Sequence, residues 1–91
     1  MYYLLEYDYV PDILSLREPF RDQHLAQASA LADQGILHMA GASGDPVNGA
    51  LFIFKDTDEV TVRDFVSADP YVNNALVTDW RIKPWTVVVG N

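Results

Sequence analysis

The sequence predicts an α+β fold, a ferredoxin-like βαββαβ chain with an antiparallel sheet. Three observations carry this. Residues 2–9 alternate at strand spacing and are rich in aromatics, two segments with helix start signals follow strand-like segments, and the full order is strand, helix, strand, strand, helix, strand.

The first strand, YYLLEYDY, puts Tyr3, Leu5, Tyr7 and Tyr9 on one face and Tyr2, Leu4, Glu6 and Asp8 on the other. Pro11 ends it. Ser15 and Glu18 form a capping-box pattern, which starts the first helix with Pro19 in its first turn, where a missing N–H costs nothing. A start near Asp12 instead puts Pro19 in the helix interior and predicts a kink. Gly35 suits the left-handed position that closes many helices.

The apolar run ILHMAGA at 36–42 and ALFIFK at 50–55 read as two strands joined through the turn-forming SGDPVNG. Thr57 or Asp58 caps a second helix, whose apolar side is Val60, Val62, Phe65 and Val66 and which ends near Ala68. Asp69 and Pro70 then form an N-cap and N1 pair that opens a short helix through YVNNALV. WRIKPWTVVV at 80–89 closes the chain as a strand, with Pro84 marking an edge or bulge and Trp80 and Trp85 flanking its kinked start.

A sheet of this fold carries helices on one face. Leu51 and Ile53 nevertheless oppose Phe52 and Phe54, and Val87 and Val89 oppose Val88, so both faces read as apolar. An uncovered apolar face of several hundred Å² is roughly the size that marks an interface, which predicts a homodimer packed sheet to sheet.

At 91 residues the chain is expected to be one domain spanning 1–91. There is no cysteine, so disulfides, thiolate nucleophiles and sulfur-based zinc sites are excluded. With 13 acidic against 6 basic residues the net charge is −7, which repels nucleic-acid backbones and anionic lipid heads. No apolar run approaches the roughly 18 residues of a spanning helix, and the start MYYLLEYDYV is acidic rather than basic. A cytoplasmic protein with no nucleic-acid or membrane partner is expected. The glycines around residues 41–49 lack the spacing of a phosphate cradle.

Wound as one helix at about 100° per residue, Ile13 and Leu31 share an azimuth, with Phe20 about 20° to one side. His24 falls about 20° to the other side, Arg17 about 40° and Arg21 about 80°. The histidine therefore faces the sheet. An imidazole buried without a partner costs on the order of 1 to 3 kcal/mol, so a carboxylate, carbonyl, water or ligand must meet it there. Arg17 reaches either solvent or the mouth of the same pocket. Plain packing also accounts for a core histidine, and ordinary capping accounts for an Asp before Pro. His38, with Ile36 and Ala40 on its side, reads as structural. The Tyr3, Tyr7 and Tyr9 stripe reads as core or interface.

MYYLLEYD at the start, R-x3-R-x2-HL through Arg17, Arg21 and His24, Gly35 and Gly41, DPYV at 69–72 and IKPWTVVVG at the end together resemble the YCII-related (YciI-like) family across almost the whole chain. The connection between the second and third strands is shorter than in longer members. The resemblance implies a dimeric α+β barrel of ferredoxin-like protomers, with an enzymatic histidine and aspartate that map to His24 and Asp69. It also implies relatives that include lyase-type dehydrochlorinases and, more distantly, muconolactone isomerases and cofactor-free monooxygenases.

If the two meet, Asp69 holds one imidazole nitrogen and leaves the other free as a general base. The expected chemistry needs no metal or cofactor: proton abstraction beside a carbonyl or phenol, then elimination or isomerisation. Arg17 and Arg21 are expected to bind the anionic oxygen in a cavity with Tyr7 and Tyr71, and the substrate is a small, partly aromatic or enolisable organic acid. The rival reading is a small-ligand-binding or regulatory dimer in which the pair serves stability. A dimer with no pocket at all is the third.

Overall fold

A computed structural model of the chain describes residues 1–90. β1 (Tyr2–Tyr9), β2 (Leu37–Ser43), β3 (Gly49–Lys55) and β4 (Val77–Trp85) form one antiparallel sheet in the order β2-β3-β1-β4. The register sets Leu5 between Phe52 and Ile82, and Tyr7 between Ala50 and Trp80. Because strand side chains alternate, this register gathers Leu5, Tyr7, Phe52 and Phe54 on one face. That face is buried under Val62, Phe65 and Val66 of α3 (Glu59–Ala68), with Ala28 and Leu31 of α2 (Arg21–Asp33) against the same cluster. The topology is the expected ferredoxin-like one. No helix among the described residues is long and apolar enough to cross a membrane.

The first helical segment starts earlier than the capping-box reading expects. The chain is helical from Ile13 to Leu16 (α1), turns tightly as a three-residue 3₁₀ segment at Glu18–Phe20, and resumes as α2. Ser15 lies inside the turn, so its side chain caps nothing, and the kink that an Asp12 start predicts is what forms. Pro19 sits at the tight segment, where its missing N–H removes no α-helical bond. The phase drawn from Ile13 as one continuous helix is therefore broken before His24. His24 is still the buried residue of α2.

Gly35 closes α2 at φ 76°, with its own N–H on Ala32 O and the Ile36 N–H on Leu31 O, the paired bonds of a Schellman end. Asp58 rather than Thr57 caps α3, accepting from both the Thr61 N–H and hydroxyl. The short helix after Asp69 is α4 (Pro70–Asn73), ending four residues before the predicted Val77.

β4 runs from Val77 to Trp85, three residues earlier at its start and four at its end than predicted. Thr86–Val89 lies beyond the last pairing with β1, so Val87, Val88 and Val89 belong to neither sheet face. The two-faced character rests instead on other residues. Opposite the helices, Tyr2, Leu4, Met39, Leu51, Ile53 and Trp85 leave an uncovered apolar surface, with Met39 58% and Leu51 38% exposed. Arg81, on the same face, bonds Glu6 at 2.9 Å and Asp8 at 3.1 Å, and Lys83 meets Glu6 at 3.2 Å. These cations hold the Glu6 carboxyl below its ordinary range, the Lys83 hydrogen bond being the largest cause.

Pro84 lies in β4, an edge strand, as its missing donor requires. Trp80 and Trp85 do not flank a common kink. Trp80 faces the helices under Arg63, whereas Trp85 packs edge-on against Tyr2 on the uncovered face. A register shift between Leu37 and Met39 turns His38 toward Tyr2, away from the Ile36 side.

Candidate active site

Asp69 ends α3 and heads α4. Its backbone leaves the helical region (φ −73°, ψ 121°), and Pro70 starts the next turn, so the carboxylate points back to the Tyr71 N–H, which it accepts on Oδ1 at 3.0 Å. The capping role predicted for it is real. A carboxylate has further lone pairs, and here they are used: Oδ1 also meets Nδ1 of His24 at 2.8 Å, and Oδ2 accepts the Tyr7 hydroxyl at 2.7 Å. Asp69 is completely buried and His24 is 7% exposed. Groups from β1, α2 and α4 thus converge on one anion.

The bonding pattern sets the histidine tautomer. An ionised carboxylate only accepts, so Nδ1 carries the proton and, in the neutral ring, Nε2 is left as an acceptor. Burial first, then the charge and hydrogen bond of Asp69, push the Tyr7 phenol far above its usual range, so Tyr7 keeps its proton and remains a donor. The imidazole is clamped in place. It stacks on the Tyr71 ring at 3.9 Å and 5°, and Phe52 and Phe65 approach it edge-on.

A cavity of about 200 Å³ opens on this histidine between α2 and the β2–β3 side of the sheet. His24, Arg17, Arg21 and Tyr71 line it, together with Tyr9 and Phe52, and small residues including Ala40, Ala42 and Ala50 leave the space empty of side chain. Arg63, Arg81 and Lys83 are each paired with carboxylates. Arg17 and Arg21 have no ion-pair partner among the described residues, and Arg17 Nε is buried with no hydrogen-bond acceptor. In a chain of net charge −7, two unpaired guanidiniums at one cavity make a local site for negative charge. Among the described residues no cluster of three or more His, Asp or Glu side chains is positioned to hold a metal ion.

The structure brings His24, Asp69, Arg17, Arg21 and Tyr71 together, but Tyr7 departs from its expected place. Its ring is 2% exposed in the core and its hydroxyl is taken by Asp69, so it stands behind the histidine pair and does not line the cavity. Tyr9 is the cavity tyrosine of β1, a role that the sequence reading left out. Strand alternation puts Tyr9 on the face of Tyr7, and a register shift against β4 between Asp8 and Tyr9 sets it apart from the regular ladder.

The YCII-related domain family matches residues 1–86, and the chain belongs to that family. No curated protein sequence matches it. Among solved structures it is similar to 5-chloro-2-hydroxyhydroquinone dehydrochlorinase (TftG) from Burkholderia phenoliruptrix AC1100 in complex with 2,5-dihydroxybenzoquinone, with a TM-score of 0.78, 21% identity and 94% of each chain covered. The structured domain of Caenorhabditis elegans BMY-1 matches with a TM-score of 0.56 and 18% identity over 97% of this chain and 99% of that one. Protein Atu4242 from Agrobacterium tumefaciens matches with 0.56 and 16% identity over 91% and 89%. At these identities the likeness establishes the fold.

Proposed function

We propose that this member of the YCII-related family is a cytoplasmic, cofactor-free enzyme of the lyase or isomerase type, acting on a small, partly aromatic or enolisable organic acid. The observation that carries the reading is the 2.8 Å contact of His24 Nδ1 with Asp69 Oδ1, placed so that the imidazole borders the cavity of about 200 Å³. Nε2 of His24 is the general base. Asp69 orients the ring and stabilises the imidazolium formed when the base takes its proton, and the Tyr7 hydroxyl keeps Asp69 itself in place.

In the reaction, Nε2 removes a proton beside a carbonyl or from a phenol, and the electron pair moves toward the substrate's oxygen. Arg17 and Arg21 meet the anion there. Return of the proton to a different carbon, or from the phenol oxygen to a ring carbon, completes an isomerisation. Where the halide sits on a saturated carbon conjugated with that oxygen, the carbonyl re-forms as the halide departs with its bonding pair, which completes an elimination, and the imidazolium gives its proton to water. The dehydrochlorinase similar in fold acts, by its name, on a chlorinated hydroxyhydroquinone. A planar single ring bearing ionisable oxygens suits both the volume and the donors of this cavity.

The functional unit in this proposal is one YCII-related domain over residues 1–91 paired with a second copy. The uncovered face of Tyr2, Leu4, Met39, Leu51, Ile53 and Trp85 is the contact.

The test is direct. Purified protein is incubated in D₂O with chlorinated hydroxyhydroquinones and with enolisable aromatic acids, following chloride release and carbon deuteration by NMR. Turnover or exchange that disappears in His24→Ala, with the fold retained by circular dichroism, is the expected result. Activity that persists at the wild-type rate in His24→Ala removes the histidine from the chemistry.

A further inference from the structure

Resting on that reading of the site, we propose that Tyr9 is a further catalytic residue: its hydroxyl donates a hydrogen bond to the substrate oxygen on which negative charge develops, beside Arg17 in the His24 cavity.

Two tyrosines of β1 that share a face have opposite fates. Tyr7 is sealed in the core with its hydroxyl on Asp69. Tyr9, two residues on, is half-buried, lines the cavity and has no hydrogen-bond partner for its hydroxyl among the described residues. Its ring is wedged edge-on between Tyr7 at 6.1 Å and Tyr71 at 6.1 Å, so the phenol is held in place. At its main chain, the Tyr9 N–H bonds Asn48 O on the β2–β3 loop, and the register against β4 shifts between Asp8 and Tyr9. Such irregularities commonly re-aim a side chain near an active site.

Chemistry agrees with position. Burial raises the Tyr9 phenol above its ordinary range, so it keeps its proton at neutral pH, and Arg17 lines the same cavity. A fixed phenol and a guanidinium whose Nε lacks an acceptor are two donors without an anion. Donors aimed where charge develops, in a water-poor site, are worth more than the same groups in water. A molecule in the cavity completes them.

4-Nitrophenol, a single ring whose phenolate band reports its own ionisation, is the probe. Its affinity and ionisation midpoint are measured across pH for the wild type, Tyr9→Phe and His24→Ala, with circular dichroism as the check on folding. The expected result is that Tyr9→Phe, isosteric apart from the hydroxyl, binds the phenolate about 10- to 100-fold more weakly and raises the bound probe's ionisation midpoint. Replacing Tyr9 with 3,5-difluorotyrosine, a stronger donor, shifts the midpoint the other way. Wild-type binding of the phenolate that Tyr9→Phe leaves unchanged overturns the role of Tyr9 and leaves the His24 reading standing. If the wild type binds no phenolate at any pH, both fall together.

Discussion

Nδ1 of His24 and Oδ1 of Asp69 lie 2.8 Å apart although 45 residues separate them, and the same oxygen caps α4 through the Tyr71 N–H. The helix cap is the device that aims the carboxylate. Its loss and the loss of the histidine's partner are one event, so the site and the local fold stand or fall together.

Asp69→Ala should therefore be severe. It leaves the His24 N–H and the Tyr7 hydroxyl buried without acceptors and removes a cap, a combined cost of about 3 kcal/mol or more. Asp69→Asn keeps a capping oxygen and should cost less. Urea denaturation midpoints test the order, and a loss under about 1 kcal/mol for the alanine variant would show that the convergence on Asp69 is energetically idle.

The tautomer is a separate expectation. Imidazole ¹⁵N shifts should report, in the neutral ring of His24, a protonated Nδ1 and a bare Nε2. A protonated Nε2 in the neutral ring would remove the proposed base.

Arg17 offers a test in which stability and binding move in opposite directions. Its Nε is buried without an acceptor, so Arg17→Met should leave stability unchanged or raise it by about 0.5–1 kcal/mol. The same variant should weaken binding of a small aromatic carboxylate or phenolate about tenfold, read by titration. Destabilisation together with unaltered binding would make Arg17 structural.

The tyrosines set an alkaline limit. Burial is the leading cause that raises the ionisation of Tyr7, Tyr9 and Tyr71 in the folded chain. A phenol whose folded value exceeds its unfolded value of about 10 contributes stability that is complete below that pH and is lost as pH rises beyond it. Phenolate absorbance from these three should therefore appear with the collapse of near-ultraviolet circular dichroism. All five tyrosines ionising while that signal stays intact would contradict the burial argument.

Dimerisation through the sheet predicts that a charge at its centre separates the subunits. Leu51→Glu adds an anion beside Glu6, its β1 neighbour, on the uncovered face. Sedimentation should show a wild-type dimer at micromolar concentration and a monomeric variant with an unchanged far-ultraviolet spectrum. A wild-type monomer refutes the assembly.

Much of the fold was legible because its signals are local. Alternation gave β1 its bounds, Asp58 and Gly35 marked helix ends, and the Asp69–Pro70 pair marked the last helix start. The errors have local causes as well. Thr86–Val89 has the composition of a strand but lies beyond the last pairing with β1 among the described residues, and Ser15–Glu18 has the letters of a capping box inside a turn already nucleated at Ile13. Helix phase pointed His24 and Arg17 toward the sheet and the family resemblance paired His24 with Asp69, whereas Tyr9 escaped because a stripe at strand spacing does not say which ring ends in the core.

By itself, the sequence determined the order of elements, the inward side of the strands and the net charge of −7, since each follows from neighbouring residues or from sums over the chain. The tertiary structure alone decided that Asp69 reaches His24 and Tyr7, that Arg17 lacks an acceptor, and that Tyr9 rather than Tyr7 borders the cavity. Those relationships span 45 and 62 residues. They depend on how α2 and α4 pack over the sheet, and no periodicity within a single segment encodes a distance between segments.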